Sequence, residues 1–330
     1  MEATTRGATR IANILEDNNR GSGQLVNKRK SAIFFSSNCS ADSRRTMHEA
    51  LQIEIEALGE RYLGLPTSVG LLADGTFDYV YGRVRRFVAG WGENTLSCAG
   101  REVLIKSNAQ AVPTYPMSCF KVPAKVCDNM KTIISNYWWG SSLDSHKIHW
   151  QKWSKLTLPK GQGRMGFRDL QLFNKAMLGK QGWRLITRPS ALCTKVIKGK
   201  YYPNGDFLSA TRKRNSSDTW KAMVYGREVL RKGVIKRVGP GTSIDGWEDN
   251  WIQGIPGLKP RVLLDDVQLG RVNELFIPDT RVWDDVLVRN SFISMDAEAI
   301  LKIKPGRLSD EDLLAWAFER HGNYLVRSAY

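Results

Sequence analysis

The chain has 330 residues, 42% of them hydrophobic and 10% aromatic, with 11 Trp; this excludes a disordered polar chain and gives ample length for a buried core, with two folding units the expectation at this size. Lys and Arg number 49 against 33 Asp and Glu, a formal charge of +16, which points to polyanionic partners such as RNA or DNA or, failing those, to a well-solvated basic surface. No apolar run reaches membrane-spanning length, and the five cysteines (Cys39, Cys98, Cys119, Cys127, Cys193) lack the spacing of a zinc knuckle or ribbon, so buried reduced thiols, no cofactor and no membrane partner are expected.

Ala8, Ile11, Ala12 and Leu15 recur at helical spacing and SGQ at 22–24 ends the pattern, which predicts a short amphipathic helix. The same stretch has the Arg and Thr content of a weak transit peptide, but Glu2, Glu16 and Asp17 argue against organellar targeting and leave the nucleus or cytoplasm as the expected compartment. A strand is expected at 33–35, then a helix from about Ser43 closed by Gly59. RYLGLPTSVG reads as a connecting loop because Pro66 fits neither a helix interior nor a central strand.

Phe77, Val80, Val84, Phe87 and Trp91 align on one helical face, with Arg83, Arg85 and Arg86 on the more polar sides. Ser97 is the expected N-cap of a helix through CAGREVLIKSNAQAV, which Pro113 and Pro116 stop before an extended YPMSCF. A third helix runs from about Pro123 to Gly140.

SSLDSH at 141–146 is the expected seam, followed by a strand-like KIHWQKW, a glycine-rich LPKGQGRMGFRDL and a helix pair, LQLFNKAMLGKQGWRLI and 192–200. Lys195, Lys198, Lys200, Arg212, Lys213, Arg214, Lys221, Arg227, Arg231, Lys232, Lys236 and Arg237 then accompany only Asp206, Asp218 and Glu228, the densest electrostatic footprint in the chain. Tyr201, Tyr202, Phe207, Trp220 and Tyr225 are interleaved; they suit stacking on unpaired bases, or core packing, the commoner use of such rings.

An ordered set of strings carries a resemblance: SGQLVN with KSAIFFS, YLGLP, LSCAGREVLIKS with AVPTYPMSCFKVP, YWWG, GRMGFRDLQLFNKAMLGKQGWRL, DTWKAMVYGREVLRKG and DGWEDNWI. The chain resembles plant LINE-type (non-LTR) retrotransposon reverse transcriptases, RNA-directed DNA polymerases. LLAWAFERHGNYLVRSAY is similar to the opening of the zinc-binding module that ends them. The resemblance implies an α-rich α+β fold, with a palm remnant at 1–70, a helical thumb-like domain at 71–140, a basic connecting region of mixed helices and hairpins at 141–310 and a truncated start of the zinc-binding module at 311–330.

In that family SGQLVN follows the palm hairpin bearing the catalytic Asp pair, which lies outside this stretch; two-metal phosphoryl transfer needs those carboxylates, so no catalysis by the chain alone is expected. Asp265 with Asp266 and Asp284 with Asp285 read instead as exposed acids at a turn or helix start. His321, and His146 with His149, lack cysteine partners for a zinc site. The resemblance to a duplex-gripping thumb makes Arg83, Arg86, Arg101 and Lys106 phosphate-contacting candidates, and Arg212, Lys213 and Arg214 test the basic region. The function implied is a reverse-transcriptase remnant that at most holds RNA or DNA without sequence preference and takes no small-molecule substrate. A decayed product without a selected role and a non-catalytic partner of a separate palm stand as alternatives.

Overall fold

A computed structural model describes residues 4–36, 38–56, 61–62, 64–66, 75–91, 96–140, 147–211, 216–261, 270–306 and 311–330. Most described residues are helical, with a few short strands, giving the α-rich α+β class expected. The chain divides into two compact units, Met1–Thr76 and Phe77–Tyr330. The expected seam at 141–146 lies outside the described residues.

The first unit is built on helix α1 (Thr5–Ser22), a full turn and more longer than the apolar repeat alone suggests. Thr4 caps it by accepting from the Gly7 amide, and Gly23 ends it with a left-handed φ of 69°. Strand β1 (Ala32–Ile33), helix α2 (Ala41–Leu51) and strand β2 (Ile55–Glu56) form a parallel strand–helix–strand unit in which Ala32 faces Ile55. α2 ends at Gln52, with φ 54°, well before the expected Gly59, which lies outside the described residues. Ala8, Met47, Leu51 and Ile53 are the buried core, with Ile11, Ala12, Ile33 and Phe35 against it. The segment expected as a loop contains strand pairing: β3 (Arg61–Tyr62) pairs antiparallel with β4 (Leu65–Pro66). Proline is tolerated because a two-stranded ribbon has only edge strands.

The second unit opens with α3 (Asp78–Gly90), then α4 (Cys98–Leu104), which Ser97 caps as expected by accepting from the Gly100 amide. α4 runs on into a π-helical turn at Ile105–Ala109. YPMSCF is helical, not extended: α5 (Thr114–Cys119) begins directly after Pro113. Pro116 falls in its first turn, where the missing N–H breaks no intrahelical bond. α6 (Ala124–Trp139) follows Pro123 and stops at Gly140, φ 73°. KIHWQKW is likewise not a strand; only α7 (Trp153–Leu156) is regular there, because its rings stack on the preceding and following segments instead of pairing backbone. His149 lies against Trp139, and Trp153 lies flat on Phe167.

α8 (Leu170–Thr187), α9 (Leu192–Tyr201) and α10 (Asp218–Leu230) give the centre of the unit. α8 and α10 touch backbone to backbone at Gly226, where a Cβ would fall 2.7 Å from the Leu178 carbonyl oxygen. Strand β5 (Val234–Arg237), helices α11 (Asp285–Ser291) and α12 (Ser294–Leu301), strand β6 (Leu313–Trp316) and the short helix α13 (Val326–Ala329) complete the fold. β6 pairs antiparallel with β5, Trp316 opposite Val234. The Tyr324 hydroxyl donates to the Ala176 carbonyl at 2.8 Å, tying the C-terminal residues to α8. Trp251, Trp283, Phe292 and Ile300 anchor a second core beneath α11 and α12.

Asp312 is the polar tie at the foot of β6: its carboxylate accepts from the Gly239, Gly241 and Ser243 amides and the Ser243 hydroxyl, at 2.8–2.9 Å. Burial opposes its ionisation, but these hydrogen bonds outweigh burial and hold the carboxyl below its ordinary range. A carboxyl depressed in the folded state contributes stability above its unfolded value near pH 4 and loses it as pH falls through the folded value. Asp312→Asn, whose amide N–H₂ would face the same donors, should cost about 1–2 kcal/mol at pH 7. Urea midpoints of the two chains should converge below about pH 4.

Candidate nucleic-acid interface

α3 buries Phe77, Val80 and Val84 and leaves Arg83, Arg85 and Arg86 exposed. Among the described residues none of the three arginines makes an ion pair. Arg83 and Arg86, three apart, share one side of the helix. Phe87, expected on the buried face, is 41% exposed beside them, whereas Trp91 is covered by Tyr137, ring centres 4.9 Å apart.

The other thumb candidates are placed differently. Lys106 donates to Glu102 at 2.7 Å and to the Met165 carbonyl at 2.6 Å, and sits 5.7 Å over the Phe167 ring. Its hydrogen bond, with that of Lys160, holds the Glu102 carboxyl below its usual range against the opposing effect of burial. Arg101 is half-buried and reaches the Trp138 carbonyl at 3.5 Å. Arg83 and Arg86 are thus brought together on an open face, while Arg101 and Lys106 serve contacts inside the unit. Arg212, Lys213 and Arg214 lie outside the described residues.

α9 also carries exposed cations, Lys195 and Lys198 on one side and Lys200 on another, and buries only Thr194 and Tyr201. The interleaved aromatics of this region are core: Tyr201 stacks on Trp220 at 4.6 Å, nearly parallel, and Tyr202 and Phe207 close around the same indole. Tyr225 is half-buried beneath the Lys121 and Lys175 ammonium groups. Arg227 is also internal, donating to the Phe207 and Ala210 carbonyls; burial lowers its pKa. These groups build the fold and are not offered to a ligand.

Sequence reasoning missed a groove of about 370 Å³ beside α6. Lys131, Thr132, Ser135 and Asn136 line one wall, and His149, Gln151, Lys152 and Trp153 the other. Trp150, between them in the chain, is 77% exposed. The signal lies in KIHWQKW, with two lysines and three rings in seven residues, a string that the sequence alone suggests as a strand.

Asp284 caps α11 by accepting from the Leu287 amide, and Asp285 pairs with Arg289 at 2.8 Å. These are acids at a helix start, as expected; Asp265 and Asp266 lie outside the described residues. His321 is exposed, and His146 also lies outside them. Among the described residues no group of three or more His, Cys, Asp or Glu side chains could hold a metal ion, and no helix is long and apolar enough to cross a membrane. Of the cysteines only Cys127 is buried, its thiol pushed up to about 12 by burial and then by Asp128 and Asp169. Contrary to the expectation of buried thiols, Cys98 and Cys193 are exposed on short or lightly covered helices.

No family model matches the chain. It is 32% identical over 269 residues, 77% of its length, to the Arabidopsis thaliana protein named "Putative ribonuclease H protein At1g65750", of which it spans 42%. It is 34% identical over 151 residues, 46% of its length, to the Arabidopsis thaliana "Uncharacterized mitochondrial protein AtMg00310", of which it covers 98%. With nearly all of that second protein matched, the chain belongs to the family of AtMg00310.

Proposed function

We propose that the chain is a segment of a retrotransposon-derived, LINE-type reverse-transcriptase protein that holds RNA or DNA through phosphates, without sequence preference and without extending it. The observation that carries this reading is the exposed pair Arg83 and Arg86 on one side of α3, free of acidic partners among the described residues, with the cations of α9 as a further contact. Guanidinium groups that contact phosphates position a nucleic-acid backbone without reading its bases. The ordered strings shared with plant LINE-type reverse transcriptases support the reading, and so does the ribonuclease name of one relative. Phosphoryl transfer would depend on palm carboxylates that the resemblance sets outside this stretch. One relative is named a mitochondrial protein; nuclear or cytoplasmic residence stays our proposal.

The test is the double variant Arg83→Ala/Arg86→Ala. Loss of two phosphate contacts should weaken duplex binding equally for unrelated sequences and reduce the salt slope by about 1.8. Unchanged affinity would remove α3 from the interface. By contrast, Lys106→Ala should act mainly on stability, since its ammonium is spent on Glu102 and the Met165 carbonyl.

A further inference from the structure

We infer that the groove beside α6 is part of a docking site for single-stranded nucleic acid, whose phosphates lie against Lys131 and Lys152 in the groove while an unpaired base stacks on Trp150, the exposed ring that follows the groove residue His149 in the chain. The inference rests on the nucleic-acid reading above and adds a strand preference that phosphate contact alone does not supply.

The chain buries Trp220, Trp251 and Trp316 almost completely, yet leaves the Trp150 indole 77% exposed. The residues on either side of it are held in place. His149 is stacked on Trp139 at 6.0 Å, and Trp153 lies parallel to Phe167 at 5.0 Å, with Trp138 edge-on to the same phenyl ring at 5.2 Å. Gln151 accepts from Arg164 at 3.4 Å. The backbone around Trp150 is therefore anchored to α6 and to Phe167 while its ring faces solvent. A large ring held out on a fixed backbone binds a flat partner at little conformational cost.

The surrounding chemistry selects the partner. Lys131 and Lys152 line the groove, and Lys155 is exposed on the adjacent α7. The acid at this end, Asp128, pairs with Lys131 at 2.7 Å; such an exposed pair is worth little and can be exchanged for a phosphate. Thr132, Ser135, Asn136 and Gln151 supply hydrogen-bonding groups for base edges. Cations flanking an exposed aromatic are the arrangement that binds single strands, whereas a dry protein interface would need an apolar lining in place of these polar walls. Bases in a duplex are stacked on one another and cannot reach the indole.

The full chain is titrated into a fluorescent oligothymidylate of about ten nucleotides and into a duplex of matched length. Trp150→Ala should weaken the single strand about tenfold, the loss of one base–aromatic stack, and leave the duplex unchanged. Trp150→Tyr keeps a stacking ring and should retain most of the affinity. Lys131→Ala with Lys152→Ala should reduce the single-strand salt slope by about 1.4. If Trp150→Ala binds the single strand as the parent does, the groove assignment is wrong, while salt-dependent duplex binding would leave the phosphate reading standing. If the parent binds neither nucleic acid, both readings fall.

Discussion

Gly226→Ala should destabilise the second unit by about 3 kcal/mol or more. Its added methyl would fall among the Leu178 and Gly179 backbone atoms of α8, and backbone, unlike the far end of a side chain, cannot turn away. The crossing is close because both helices present glycine there: Gly179 lies under the Tyr324 hydroxyl, and Gly182 against Phe207 and Leu230. Separating α8 from α10 would also loosen the Tyr324 hydrogen bond to the Ala176 carbonyl and expose the aromatic core around Trp220. Gly199→Ala provides the control. It lies on the exposed side of α9 with nothing within 4 Å of its would-be Cβ, and alanine there should be neutral or stabilising by up to about 1 kcal/mol. Urea unfolding of both variants separates packing from helix propensity; equal midpoints would mean that α8 and α10 are not in backbone contact.

Asn174→Ala should cost about 2–4 kcal/mol, because the buried amide satisfies three backbone groups at once. Its Nδ2 donates to the Met117 carbonyl at 2.7 Å and the Phe120 carbonyl at 2.9 Å, and its Oδ1 accepts from the Val122 amide at 2.9 Å. The turn from α5 to α6 is thereby fastened to α8. Truncation strands two carbonyls and an N–H away from water, so the penalty exceeds that of one ordinary hydrogen bond. Asn174→Leu should be no better than alanine, since added apolar volume satisfies none of these groups. Chemical denaturation at constant m-value reads the loss; a midpoint shift equivalent to less than about 0.5 kcal/mol would contradict the assignment.

Features set by neighbours in the chain were legible in the sequence. Ser97 as a cap, Gly140 as a stop and the buried stripe Val80–Val84 follow from local spacing, and the Asp284 cap follows from an acid ahead of a helix. Features set by distant partners were not. No pattern in KIHWQKW announces that its rings stack on Trp139 and Phe167, so the string looks strand-like. Helical YPMSCF was hidden by Pro116, which breaks a helix in most positions but not in the first turn. The candidate site divides the same way. Arg83 and Arg86 follow from helical phase, whereas the use of Lys106 is only half readable: the Glu102 pair is at i,i+4 spacing, but the Met165 carbonyl is 59 residues away. Tyr201 and Trp220 stack through a tertiary fold that brings α9 to α10, which composition alone left as either core or base-stacking surface.

The central claim is that this +16 chain grips nucleic acid by its phosphates, and the salt dependence of duplex binding tests it most directly. Fluorescence anisotropy with two duplexes of unrelated sequence, titrated from about 50 to 200 mM salt, should give the same line for both, with affinity falling by roughly three orders of magnitude for about six phosphates neutralised. A flat salt response, or affinity for one sequence only, would contradict it.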